Sequence, residues 1–239
     1  MKYAQHLAAA VGVILMAGGL NTVSANLILL SPENFSGTGL GAVNTILTIT
    51  SPGATTNEQG CVGRSIAGCP GGSTNGAGDV IGGTLGGNEL TGASQTLTRT
   101  IGALGLTTAA NLRVVFNVVE PPPAAGITLN TLVLGIYDGA TNALLFSASL
   151  PAPLVITGTE TGIGNSGFVF GLTAAEAATA QGFFALGNRI GLSGSASNAT
   201  GGPETFFVAN TVVPEPASLL LLGSGLAGLG VWRWRKGQV

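Results

Sequence analysis

Two uncharged apolar stretches, Leu7–Leu20 and Leu219–Trp232, bracket this 239-residue chain and govern how the rest is read. Between them lies a body rich in glycine and poor in charge. The whole chain has 40 Gly, and 8% of its residues are charged, where a soluble domain carries charge on about a quarter of its positions. A mean hydropathy of +0.51 excludes a hydrophilic disordered protein, which needs low hydrophobicity and high charge. The glycines keep no period of three, which excludes collagen. A net charge of −2 provides no basic field, so no nucleic-acid partner is expected. The length allows one large or two small domains.

Residues 1–25 read as a secretory signal peptide, with a signal helix. Lys2 supplies the positive start, and Leu7–Leu20 the apolar region. Val23-Ser24-Ala25 places small residues where a signal peptidase reads, so the mature chain is expected to start at Asn26. The apolar region is short for a bilayer span of about 20 residues. At the other end, Ala217–Trp232 as a helix rises about 24 Å, against a hydrocarbon core of roughly 30 Å. This predicts a minimal transmembrane helix over 217–232, transiently in the inner membrane. Arg233, Arg235 and Lys236 follow it, and positive charge stays cytoplasmic. The exported body would lie outside and the basic tail inside.

Pro214-Glu215-Pro216, the hydrophobic Leu219–Val231 and the basic Arg233-Trp234-Arg235-Lys236 occur in that order. Together they resemble the PEP-CTERM sorting signal, over residues 214–239. The resemblance implies processing near Pro214, Glu215 and Pro216 by an exosortase. It also implies a Gram-negative bacterium that makes extracellular polysaccharide, with the body released or attached at the cell surface. The three motif residues are then recognised by the sorting enzyme and have no catalytic role. Gly223-Ser224-Gly225-Leu226-Ala227-Gly228 also fits a dinucleotide-binding pattern, but no strand–helix–strand unit surrounds it.

The mature body, 26–213, has nine acids against four arginines, a net charge of −5. It contains no His, no Lys and no Trp, and Tyr137 is its one Tyr. Alternating runs predict strands over Val43–Thr50, Gln95–Ile101, Leu112–Val119, Ile127–Tyr137, Ala143–Ser149, Gly167–Leu172, Arg189–Ser195 and Thr205–Val212. In the third run Leu112, Val114, Phe116 and Val118 share a face. Asp138–Asn142 carries Asp-Gly turn chemistry, which makes the flanking runs a hairpin. Thr173-Ala174-Ala175-Glu176 is a capping box opening one short helix to about Gln181, with Gly182 at its exit. Many strands, one helix and no strand–helix alternation predict an all-β fold. The expected form is an antiparallel β-sandwich, with a jelly roll the preferred topology.

Pro52–Gln95 interrupts the pattern, with 13 glycines in 44 residues, and reads as a long loop. Cys61 and Cys69 lie within it. Export places them in an oxidising compartment, so they are expected to form a disulfide. Closing so short a loop stabilises by roughly 2–3 kcal/mol.

The inventory argues against enzymes. Without His or Lys, the Ser-His, Cys-His and Ser-Lys nucleophile systems are excluded. Two cysteines without His make a poor metal shell, so no cofactor or metal is expected. A hydrolase working with two carboxylates survives in principle, but no two acids stand at a telling spacing. Asp138 could be a Ca²⁺ ligand, yet a hairpin turn explains it without one. Arg189 and Glu204 lie near two late strands, within reach of a surface pairing. Two readings of the body follow. One is a structural or adhesive protein of an exopolysaccharide matrix. The other is a module that binds polysaccharide or a surface partner, with or without Ca²⁺. A concave face of polar side chains around Tyr137 would favour the second, and a flat threonine ladder the first.

Overall fold

The structure is a computed structural model that describes residues 23–33, 43–51, 55–82, 87–92, 95–119, 126–157 and 166–210. Its strands are β1 Val23–Glu33, β2 Thr45–Ile49, β3 Asn57–Gly63, β4 Ser73–Thr74, β5 Val80–Gly82, β6 Arg99–Thr100 and β7 Leu112–Val118. They continue with β8 Ile127–Tyr137, β9 Leu144–Ser149, β10 Leu154–Ile156, β11 Ser166–Leu172, β12 Arg189–Ser197 and β13 Glu204–Asn210. One helix, α1 Ala174–Gln181, and a 3-10 turn at Ala109–Asn111 complete the described elements.

Local chemistry explains most of these elements. Leu112, Val114, Phe116 and Val118 are all buried, as their alternation predicts. Thr173 Oγ1 accepts the Glu176 amide at 3.3 Å, and Glu176 Oε2 accepts the Thr173 amide at 3.0 Å. This reciprocal cap starts α1 where the sequence places it. Between β8 and β9, the Asp138 amide donates to Ala143 O at 2.9 Å, and Asn142 takes a φ of 62° to close the turn. Asn is among the few residues that tolerate that left-handed conformation.

The strands form a curled mixed sheet in the order β2-β13-β7-β11-β1-β9-β8-β12-β3-β5-β4, with β10 on β8 and β6 on β12. The β-rich, one-helix composition agrees with the sequence reading. The arrangement departs from the two separate antiparallel sheets of a sandwich or jelly roll. The physical reason is β1. Its first residues, Val23–Asn26, pair in parallel with β9, and the rest, Leu27–Glu33, pair antiparallel with β11. One strand thus belongs to two layers and joins them. The layer built on β8, β9, β12 and β3 is called A here, and that on β2, β13, β7 and β11 is called B. Their inner faces meet in one core. Phe206 of β13 stacks on Phe116 of β7, with ring centroids 4.5 Å apart. Opposite it lies Gly194 of β12, where a Cβ would stand 3.0 Å from the Phe206 ring.

Two further expectations change. Pro52–Gln95 is not simply a long loop, because it contains β3, which pairs with β12 from Asn57 to Val62. Its inward positions include Glu58 and Gly60, so no apolar alternation announces it. Gln95–Ile101 is a strand only at Arg99–Thr100. Thr96 and Thr98 spend their hydroxyls on Thr48 N and on Asp79. The signal helix and the transmembrane helix fall outside the described residues, except that Val23–Ala25 are strand. Among the described residues, no helix is long and apolar enough to cross a membrane.

Asp79, 2% exposed, holds the glycine-rich segment to the rest. Its Oδ1 lies 3.2 Å from Arg64 Nη1 and accepts the Thr98 hydroxyl at 2.5 Å, and its Oδ2 accepts the Thr98 amide at 3.1 Å. Arg189 then donates from Nε to Thr98 Oγ1 and from Nη2 to Thr98 O, each at 2.7 Å. Arg64 Nε reaches Asn142 Oδ1 at 2.8 Å. Removing one partner of a buried ion pair strands the other, at a cost of about 3–5 kcal/mol. Asp79→Ala should lower stability by that order in urea denaturation, and an unchanged midpoint would refute the role.

Candidate functional site

The candidate site is the outer face of layer A, and register alone builds most of it. Across β12 and β8, Arg189 faces Tyr137, Gly191 faces Gly135, Ser193 faces Val133 and Ser195 faces Thr131. On the β9 side, Ser147 faces Gly135 and Ser149 faces Val133. On the β3 side, Gln59 faces Ser195 and Asn57 faces Ser197. These positions alternate with the buried Leu134, Ile136 and Leu192, so they look away from the core. The face therefore presents hydroxyls and amides.

Cys61 stands opposite Ser193 on this same face. Its disulfide to Cys69, with the Cα atoms 5.4 Å apart, folds residues 61–69 over the sheet. Tyr137 lies beneath that loop, 1% exposed, although it is no part of the main core. A Cβ at Gly135 or Gly191 would come within 2.9 or 3.0 Å of its ring, and one at Gly68 would collide with its hydroxyl. The glycines make the bed and the cover in which the ring fits. Burial pushes the Tyr137 phenol well above its ordinary range.

Two cavities adjoin this face, the second also lined by the inward-facing Glu58 and Ala196. One, of about 350 Å³, lies between the disulfide loop and the sheet, where Thr131, Ser147, Ser193 and Tyr137 line it together with the apolar Val133, Leu144 and Leu192. The second, of about 420 Å³, is lined by Thr55, Asn57, Glu58, Gln59, Asn88, Asn130, Ser195 and Ala196. Thr131 of the first and Ser195 of the second share a 2.7 Å hydrogen bond, so the cavities adjoin. Glu58 is the one charged residue lining either. Hydroxyls and amides both donate and accept, which suits a neutral polyhydroxylated ligand better than an ion.

The structure buries Glu204, which therefore makes no surface pair with Arg189, and it places two acids, Glu58 and Glu89, that the sequence reading passed over. Glu58 is 2% exposed on the inner face of β3, and its Oε1 accepts the Ser51 hydroxyl at 2.9 Å. Glu204 is fully buried opposite Ile49, which in turn bridges to Glu89. Glu89 Oε2 is buried without a partner among the described residues. Burial pushes the Glu89 carboxyl up, partly offset by its own backbone amide. No local spacing reveals this gathering, because β3, β13 and residue 89 meet only through long-range pairing.

Of the residues singled out from sequence, Cys61 and Cys69 are bonded. Asp138 Oδ1 accepts the Thr141 amide at 2.6 Å and the Thr141 hydroxyl and Ala140 amide at 2.9 Å. Those three bonds hold its carboxyl below the ordinary range and make it a turn residue. Among the described residues, no three metal-ligating side chains converge. Arg189 donates to Thr98 as described above. Pro214, Glu215, Pro216, Arg233, Arg235 and Lys236 lie outside the described residues.

Two predictions follow from this packing. Folded Glu89 keeps its proton to higher pH than the unfolded chain, so stability falls as pH rises through that interval. Glu89→Gln should remove the fall. Its melting temperature should match wild type in acid and exceed it near neutrality, while parallel profiles would contradict the burial effect. Gly68→Ala forces a methyl group onto the Tyr137 hydroxyl and should destabilise by about 1–3 kcal/mol. Urea denaturation that leaves the midpoint unmoved would show the loop yields instead.

A family model of the PEP-CTERM protein-sorting motif matches residues 212–236. No curated protein and no solved structure matches the chain significantly. The match spans the Pro-Glu-Pro triplet, the apolar run and the basic cluster. The chain thus carries, at residues 212–236, a PEP-CTERM protein-sorting motif, which implies exosortase as its processing partner and export to the cell surface of Gram-negative bacteria.

Proposed function

We propose that this is an exported, exosortase-processed protein of the cell surface or extracellular matrix, structural or adhesive in an exopolysaccharide setting. In this reading a signal peptidase removes residues 1–25, and the helix over 217–232 holds the chain briefly in the inner membrane. Exosortase then cuts near Pro214-Glu215-Pro216, and the body is non-catalytic. The observation that carries the export reading is the sorting motif at residues 212–236.

The body's contact with the matrix is assigned to the outer face of layer A. Its support is the pair of adjoining cavities, the larger lined mainly by Asn, Gln, Thr and Ser, the smaller by three Ser and Thr side chains among glycines and apolar residues. Such a face offers a neutral polysaccharide many paired donors and acceptors and few charges to desolvate. Thr131, Ser147 and Ser193 share the smaller cavity with Tyr137, which supports the alternative reading of the body as a binding module. The ring itself is covered, so recognition would run through hydroxyls and amides and not through an aromatic platform.

Replacing Pro214-Glu215-Pro216 with three alanines should leave the chain uncut at its C-terminal end in the inner membrane, read by fractionation and intact mass. Normal processing of that variant would overturn the sorting reading. In the wild type, the processed body should co-fractionate with extracellular polysaccharide, and complete release into a buffer wash would overturn the adhesive reading.

A further inference from the structure

β1 joins the two layers at its first residues. Val23, Ser24 and Ala25 pair with Phe146, Ser147 and Ala148 of β9, and Asn26 pairs with Ser149. From Leu27 onward the strand belongs to β11. At this switch the Asn26 backbone nitrogen donates to Glu176 Oε1 at 2.6 Å. The other carboxylate oxygen, Oε2, accepts the Thr173 amide and hydroxyl at 3.0 and 2.8 Å. Glu176 is thus divided between capping α1 and holding Asn26. Among the described residues, the ion pair formed is Arg64–Asp79, so no side-chain cation serves Glu176.

We infer that signal-peptide cleavage turns the Asn26–Glu176 hydrogen bond into an ion pair that fastens the mature N-terminus to α1. A signal peptidase adds water across the Ala25–Asn26 bond. Ala25 leaves with a carboxylate, and Asn26 keeps its nitrogen as an α-ammonium. That nitrogen already sits 2.6 Å from a carboxylate oxygen. Charge-assisted bonds of this kind are about twice as strong as neutral ones. The same cut removes three of the four residues that pair β1 with β9. Asn26 is left as the link, through Ser149 and Glu176. The inference rests on the reading of residues 1–25 as a cleaved signal, and the experiment separates the two.

Residues 26–213 contain no lysine. Within them an amine-reactive ester therefore acylates the α-amino group alone, and peptide mapping sets aside any labelled Lys236. The secreted wild-type protein and Glu176→Gln would be purified, their first residue mapped by mass spectrometry, and their labelling rates compared near pH 7. Glutamine serves in a capping box as glutamate does, and circular dichroism checks that the fold survives. The expected result is a start at Asn26 with labelling of the variant about three to ten times faster, because the carboxylate favours the unreactive ammonium. A different first residue would overturn the cleavage reading and the pair together. A start at Asn26 with equal rates would overturn the pair and leave the cleavage intact.

Discussion

The buried carboxylate of Asp79 ties the glycine-rich segment beyond β3 to the rest of the molecule. Residues 52–95 have few large apolar side chains to bury, and their many glycines lose more backbone entropy on ordering than other residues do. Asp79 ties this segment to Thr98 by two bonds and to Arg64 by a charge pair. Through Thr98 it engages Arg189 at the head of β12. Through Arg64 it engages Asn142 in the β8–β9 turn. The disulfide adds a second tie, from Cys61 in β3 to the loop end at Cys69. With both in place the loop lies flat on Tyr137 and forms one wall of the smaller cavity. The outer face of layer A therefore depends on a carboxylate that does not belong to it.

What could be read from sequence was the chemistry that acts over a few residues. The capping box at Thr173 and Glu176, the Asp138–Asn142 turn and the alternating β7 all need only neighbours three or four positions away. β3 was illegible for the opposite reason. Gly60 is inward-facing because Ile49 and Glu89 press against it from another part of the chain. Thr96 and Thr98 alternate as a strand should, yet their hydroxyls serve Thr48 and Asp79, partners 48 and 19 residues away. The candidate site was half legible. Tyr137 stood out as the body's one Tyr, and Cys61 and Cys69 as its two thiols. That Gly63 of β3, Gly135 of β8, Gly191 of β12 and Gly68 of the disulfide loop would frame the ring depends on strand register, which no local pattern encodes.

Scarcity of charge has a consistent physical meaning across the molecule. The described charged groups are largely used inside it: Arg64 and Asp79 as a pair, Arg189 on Thr98, Glu58 and Glu204 within the core. Little charge remains to cover the sheet, and Ser, Thr, Asn and Gln hydrate it instead. Lys and other charges are the usual guard against edge-to-edge pairing of strands. Leaving out this guard makes the protein's strand edges less protected against association.

Among the described residues, the parallel pairing falls at the expected signal-peptide boundary. The residues that pair in parallel with β9 are Val23–Asn26, and the expected cut falls after Ala25. The two layers are laced together by a strand whose first three residues would leave under the cleavage inferred above. The parallel ladder would then shrink to Asn26 opposite Ser149, and layers A and B would meet through one residue. Asn26 would need a firm partner there, because a strand end released by the cut would otherwise fray from the edge left on β9.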